Sequence, residues 1–298
     1  YYKYKFAIKE FVNDQGVPDS LNTPSGVYVT EDEIFVCDTA NNRLVVFDLE
    51  GEFKRITHEP KSDVMPANSI YKPVACAVDS TGRIYVISST TYMGVISLNA
   101  DGSFVGFIGA QKVSASVWQI IWRQFQTEEQ RALSVQNVST EFNNITIDHK
   151  GFIYVTTSSI EEWQQQSAIT SKSGDYAPVK KLNSSGADIM HRNGFFAPNG
   201  EVSVRNVAFD TNTPTGASKI IDVAIGPEET WSIIDEKRSR VYTYDADGKM
   251  LFTFGDTGMQ LGNISSIEGV AYQGDKLLLL DKTRDSFTVY NRTEYGDI

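Results

Sequence analysis

Short apolar runs of three to five residues, separated by clusters of Asp, Asn, Glu and Gly, set the rhythm of this chain. Between 24 and 56 four runs follow one another: VYV at 27–29, IFVC at 34–37, LVVF at 44–47 and FKRI at 53–56. β-Branched and aromatic residues in runs of this length, bounded by turn-forming residues, predict four strands in a tight meander. The unit recurs at 73–109, at 142–155 (resuming at 178–190), at 222–255 and at 269–291. The residue after the second run is Asp38, Ser88, Thr157, Asp235 and Asp281, at intervals of 50, 69, 78 and 46. The short intervals suit a four-stranded propeller blade of roughly 40–50 residues, and the long ones imply insertions.

One turn chemistry repeats with the strands. Asp or Asn stands three residues before Gly in Asp79 and Gly82, Asp148 and Gly151, Asp48 and Gly51, Asn99 and Gly102, Asn183 and Gly186, and Asp245 and Gly248. The first side chain caps the turn, and the glycine supplies a positive φ that a Cβ resists. The predicted fold class is therefore all-β: residues 1–298 as a single propeller of four-stranded blades. Five repeats are countable; a sixth would have to be degenerate, within 194–221. The last repeat lacks a fourth run, while residues 4–8 (YKFAI) form a spare one at the start. Because a ring must leave no exposed strand edge, the N-terminal strand is expected to complete the final blade.

Three segments break the rhythm. In 110–138, Trp118, Ile121, Trp122 and Phe125 recur at helical spacing, and Thr127 to Gln130 has the form of a capping box. This predicts a short helical insertion, acting as a lid on the rim or as a partner-docking helix. Segments 160–177 and 191–218 are polar and rich in turn formers, so both are expected to be surface loops. Trp163, Tyr176 and Phe195 lie in them and, with Trp118 and Trp122, are the candidate binding residues, since aromatics supply contact area at low entropic cost.

The segments Pro24 to Val27, Ile34 to Asp38 and Asn41 to Asp48, with Gly51, resemble the NHL-repeat β-propellers. The D-T-x-N-N-R pattern ending on Arg43 is complete only in the first unit; the fourth keeps Asp235 and Arg240, and the other three lose the Arg at that place. Arg43 is expected to pair with Asp38 as a structural feature, an exposed pair of little energetic weight. The TEEQR piece, followed by STEFNNITID and GFIYV, resembles NHL-like ectodomains of exported Gram-positive proteins. That resemblance implies an extracytoplasmic sensor or scaffold, some relatives being joined to membrane-spanning segments. The chain opens without Met, so a processed product with its signal removed, and a fragment of a longer protein, is expected.

Composition narrows the partners. Lys and Arg number 27 against 38 Asp and Glu, a net charge of −11, which argues against nucleic acid and anionic membrane surfaces. No run of about 18 apolar residues exists, so direct membrane insertion is not expected. The only two cysteines, Cys37 and Cys76, sit in apolar strands and are expected to be buried free thiols.

Catalytic chemistry is weakly represented. Lactonases of propeller architecture hold a divalent metal such as calcium with acidic and amide oxygens at the channel mouth. The corresponding candidates here are Asp79, Asn143, Asn144, Asp148, Asp222 and Glu268, of which Asp79 and Asp148 already serve as turn caps. Amidating-lyase relatives use zinc-binding histidines, whereas His58, His149 and His191 follow no ligand spacing and are expected to be solvated. The expected function is thus a non-catalytic extracytoplasmic binding or scaffold module without a cofactor. Its ligand would be a protein, peptide or cell-wall glycan held by loops on one face. The alternative is a metal-dependent lactonase- or lyase-type enzyme.

Overall fold

A computed structural model describes residues 2–62, 70–90, 94–109, 142–172, 174–192, 198–203, 214–260 and 262–293. The architecture is a five-blade β-propeller, and the chain divides into two compact units, 1–141 and 142–298. The expected helix within 110–138, and with it Trp118 and Trp122, lies outside the described residues, as does Phe195.

In the first unit, blade one consists of β3 (Gly26–Val29), β4 (Glu33–Asp38), β5 (Arg43–Asp48) and β6 (Phe53–Thr57). Blade two consists of β7 (Pro73–Val78), β8 (Ile84–Ser88), β9 (Val95–Leu98) and β10 (Phe104–Ile108). Both are antiparallel meanders in sequence order. Alternation along the strands gives blade one two buried faces. Phe35, Cys37, Leu44 and Val46 pack against Cys76, Val78, Ile84 and Val86 of blade two. Val36, Val45 and Phe47 face the other way, toward Ile8 and Phe11.

That second face corrects the expectation for the N-terminus. Residues 4–8 form no strand and do not complete the last blade, which remains three-stranded among the described residues. Lys5 Nζ donates to Leu49 O at 3.2 Å, and Ile8 joins the blade-one cluster. Next, β1 (Glu10–Val12) and β2 (Pro18–Ser20) make a hairpin whose Phe11 stacks on Phe53 at 5.2 Å and meets Phe47 edge-on at 5.3 Å. The outer apolar face of blade one needed covering, and the adjoining chain supplies the cover.

In the second unit, blade three has β11 (Asn144–Ile147), β12 (Ile153–Thr156) and β13 (Val179–Leu182). A single bridge from Leu182 to Asp188 follows. The short hairpin of β14 (Val202–Ser203) and β15 (Gly216–Ala217) takes the place where a degenerate sixth blade was sought. Blade four has β16 (Ile220–Ile225), β17 (Trp231–Asp235), β18 (Arg240–Tyr244) and β19 (Met250–Phe254). Blade five has β20 (Ile267–Gln273), β21 (Lys276–Asp281) and β22 (Ser286–Asn291). The first strands meet, β16 packing on both β11 and β20.

The segment 160–177 holds a helix, α1 (Glu162–Ser171), where a loop was expected. Its sequence is polar nearly all round, so apolar periodicity gave no signal. The backbone N–H of Glu161 donates to Gln164 Oε1 at 2.9 Å, fixing the first turn. Gln165 and Ala168, one turn apart, are its buried face.

The repeated turns are built as predicted. Asp48, Asp79, Asp148, Asn183 and Asp245 each accept two backbone N–H bonds through Oδ1, from residues two and four further on. The glycines that follow have φ between +75° and +89°. In the sixth turn Asp101, rather than Asn99, accepts from Ser103 N.

Candidate functional site

The acidic residue that closes the second strand of blades one, four and five is a clamp. Asp38 Oδ1 accepts from Asn22 N at 2.6 Å, Asp235 Oδ1 from Lys219 N at 2.9 Å, and Asp281 Oδ2 from Ser265 N at 2.8 Å. Ser88 Oγ does the same for Lys72 N at 2.9 Å. In all four the donor lies 16 residues earlier, where the chain enters the blade. These side chains hold strand order and are not free for chemistry.

Arg43 does pair with Asp38, Nε to Oδ2 at 2.8 Å, and also forks onto both Asp19 oxygens at 2.8 Å. The pair is buried, contrary to the exposed one expected, because the β1–β2 hairpin closes over it. In blade four the role is divided: Arg238 takes Asp235 at 3.0 Å, while Arg240 reaches Glu201. In blade five Arg284 lies 3.6 Å from Asp281.

Register places Gly26, Ala75, Asn144, Asp222 and Gly269 at equivalent points of the five first strands. They pair with Cys37, Ile87, Thr156, Ile234 and Leu280, each one residue before the clamp position. Three are small; Asn144 and Asp222 are polar and meet. Asn144 Nδ2 donates to Asp222 Oδ1 at 2.8 Å, Val223 N donates to the same oxygen at 2.7 Å, and Val270 N donates to Oδ2 at 2.8 Å. One carboxyl thus links the first strands of blades three, four and five. Desolvation pushes its pKa up to about 7, against the backbone donors that favour the charged form.

The other candidate ligands do not join them. Asp79 caps its turn and accepts from the Tyr85 hydroxyl at 2.9 Å. Burial opposes its ionisation, yet the bonds from Thr81, Tyr85 and Arg83 hold its pKa below the usual value. Asp148 caps its turn beside Lys181, and exposed Glu268 pairs with Lys282 at 3.2 Å. Asn143 spends its side chain on Ile220 O and the Thr156 hydroxyl. Among the described residues no three His, Cys, Asp or Glu side chains gather at one point. All three histidines are exposed.

Of the predicted binding aromatics, Trp163 and Tyr176 come together, edge to face at 5.6 Å. Trp163 is 59% exposed, and its indole N–H donates to Glu161 Oε2 at 2.7 Å.

Sequence reasoning missed an apolar recess in the second unit. A cavity of about 290 Å³ opens between β19 and blade five, lined by Leu251, Phe252, Phe254, Tyr272, Leu277 and Tyr290. Phe254 packs on Tyr290 at 4.8 Å, so this face of β19 looks toward blade five. Phe252 shares that face two residues earlier, 6.2 Å from Phe254, yet is 48% exposed. A fourth strand on β22 would cover it. The missing fourth apolar run of the last repeat was the available signal.

The NHL repeat family model matches residues 21–47. No curated protein matches. Among solved structures, a protein of unknown function from Bacteroides thetaiotaomicron is similar at 11% identity and TM-score 0.55, over 93% of this chain and 62% of that one. A streptogramin B lyase is similar at 13% identity and TM-score 0.49, over 97% and 74%. Virginiamycin B lyase from Staphylococcus aureus is similar at 10% and 0.48, over 92% and 71%. At these identities the likeness extends to the fold alone. The chain is a β-propeller of five blades that carries an NHL repeat in its first blade.

Proposed function

We propose that the protein is a non-catalytic binding or scaffold module, working outside the cytoplasm, and that it takes an extended polypeptide segment at the open edge of blade five. The observation that carries this reading is the uncovered apolar groove beside β22. The outer edge of β22 has no strand paired to it among the described residues, so its backbone can pair with an added strand. Leu251 and Phe252, each about half exposed, offer pockets for alternate side chains of that strand. A peptide rather than a glycan fits, because the groove is walled by apolar side chains and its polar demand is backbone pairing.

A random peptide library displayed on phage is the test. Enriched sequences should alternate apolar residues, lack proline, and lose at least tenfold in affinity to Phe252→Glu. Enrichment insensitive to Phe252→Glu and Leu251→Glu, or binding only to glycan arrays, overturns the groove as the site. Lactone or lyase turnover abolished by Asp222→Ala would instead favour the enzymatic alternative.

A further inference from the structure

Cys37 and Cys76 are the only cysteines of the chain, and the fold brings them together from neighbouring blades. Cys37 lies in β4 opposite Gly26 of β3, and Cys76 lies in β7. At this seam backbone touches backbone: a Cβ on Gly26 would stand 2.5 Å from Val74 O and 3.0 Å from Ala75 Cα, directly beside Cys76. The Thr39 hydroxyl lies 3.3 Å from Cys37 O and 2.6 Å from Pro73 O, and Ser25 Oγ donates to Val74 O at 3.1 Å. The Cys76 side chain stands close enough to Cys37 to raise the pKa of its thiol. Both residues are buried, 0% and 3% exposed, within one apolar cluster that includes Leu44, Val46 and Tyr71. The Tyr71 hydroxyl is buried in the same cluster without a hydrogen-bond partner among the described residues.

We infer that Cys37 and Cys76 form one redox site, which in an oxidising compartment closes into a disulfide that staples blade one to blade two. The balance is ordinary thiol–disulfide exchange. A Cys thiolate attacks a disulfide donor of the glutathione or oxidoreductase class and expels one thiolate. The second cysteine, deprotonated, attacks the mixed disulfide and expels the other. Two thiols become one S–S bond, two protons leave, and the donor is reduced by two electrons to two thiols.

The partner sulfur and burial hold the Cys37 thiol well above its usual pKa, so the thiolate is scarce once the blades have closed. The bond therefore forms while the chain folds, before this seam is sealed, and afterwards resists reductants that cannot open it. The inference is independent of the groove proposed above, since neither cysteine contributes to it.

The test refolds the full chain in a buffer of reduced and oxidised glutathione, then denatures it in guanidinium chloride at neutral pH with N-ethylmaleimide already present. The expected product is monomeric, lighter than the reduced chain by two hydrogens, unalkylated, and doubly alkylated after dithiothreitol. Its Tm should exceed that of protein refolded with dithiothreitol by about 5–10 °C. The Cys37→Ala/Cys76→Ala double variant should lose this redox dependence, and either single variant should show one alkylatable thiol. Two alkylated cysteines in natively folded chains after oxidative refolding, or disulfide-linked dimers in their place, overturn the inference.

Discussion

The Asn144 side-chain amide donates to Asp222 Oδ1 across 2.8 Å, joining residues 78 apart in sequence on the first strands of blades three and four. Val270 N completes the link to blade five. The acceptor pattern suits a carboxylate, while burial removes much of the water that a carboxylate needs.

This conflict makes stability depend on pH with a definite sign. The Asp222 pKa rises from 3.8 to about 7 on folding. Between those values the folded state holds a proton that the unfolded state has lost, so Asp222 lowers stability as pH rises from about 4 to about 7, with no further change above. Because the residue keeps some surface, the total should be on the order of 2 kcal/mol rather than the full value of the shift. Urea unfolding at a series of pH values should show this slope in the parent and its loss in Asp222→Ala. A slope equal in both would refute the assignment.

Arg43 and Arg240 occupy matching places yet should differ sharply. Arg43 is buried against Asp38 and Asp19, and Arg43→Met strands the fully buried Asp38 carboxylate, at about 3–5 kcal/mol. Arg43→Lys keeps the charge but not the fork, and recovers little of this. Arg240→Met breaks a half-exposed pair with Glu201 and should cost under about 1 kcal/mol. Bonds from Arg43 hold the Asp19 carboxyl well below the usual carboxylate range. The Arg43–Asp19 contribution should accordingly be complete above about pH 4 and fade only as pH falls far beneath it. Denaturant midpoints of the three variants check the order.

Two glycines separate space from conformation. Gly26→Ala drives a methyl into the Val74 carbonyl and should cost about 2 kcal/mol or more. Gly151 has φ +83° with nothing among the described residues within 4 Å of a Cβ, so Gly151→Ala should cost only the backbone strain, about 1 kcal/mol. Equal losses in thermal unfolding would remove the close approach of blades one and two as the reason for Gly26.

Local physics was legible. Each turn is closed by a side chain bonding to backbone two and four residues away, and each meander by neighbours in sequence, so Asp48 to Gly51 or 34–37 announces its structure unaided. The clamp was half legible: Asp38, Asp235 and Asp281 stood out by position, but their acceptor role depends on a donor 16 residues back. The helix at Glu162–Ser171 was missed because tertiary packing of Gln165 and Ala168, not an apolar stripe, holds it.

What the sequence alone determined is the repeat: strand lengths, turn chemistry and the propeller they imply, all set by interactions spanning a few residues. Only the tertiary structure decided what the repeats meet. It set Asn144 on Asp222, Cys37 beside Cys76, Asp19 on Arg43, and Phe252 beside a blade five that has three strands among the described residues. The N-terminal segment covers blade one instead of finishing blade five, for a face is covered by whichever apolar chain reaches it. Such pairings join positions tens of residues apart, and their energy comes from burial that no local pattern records.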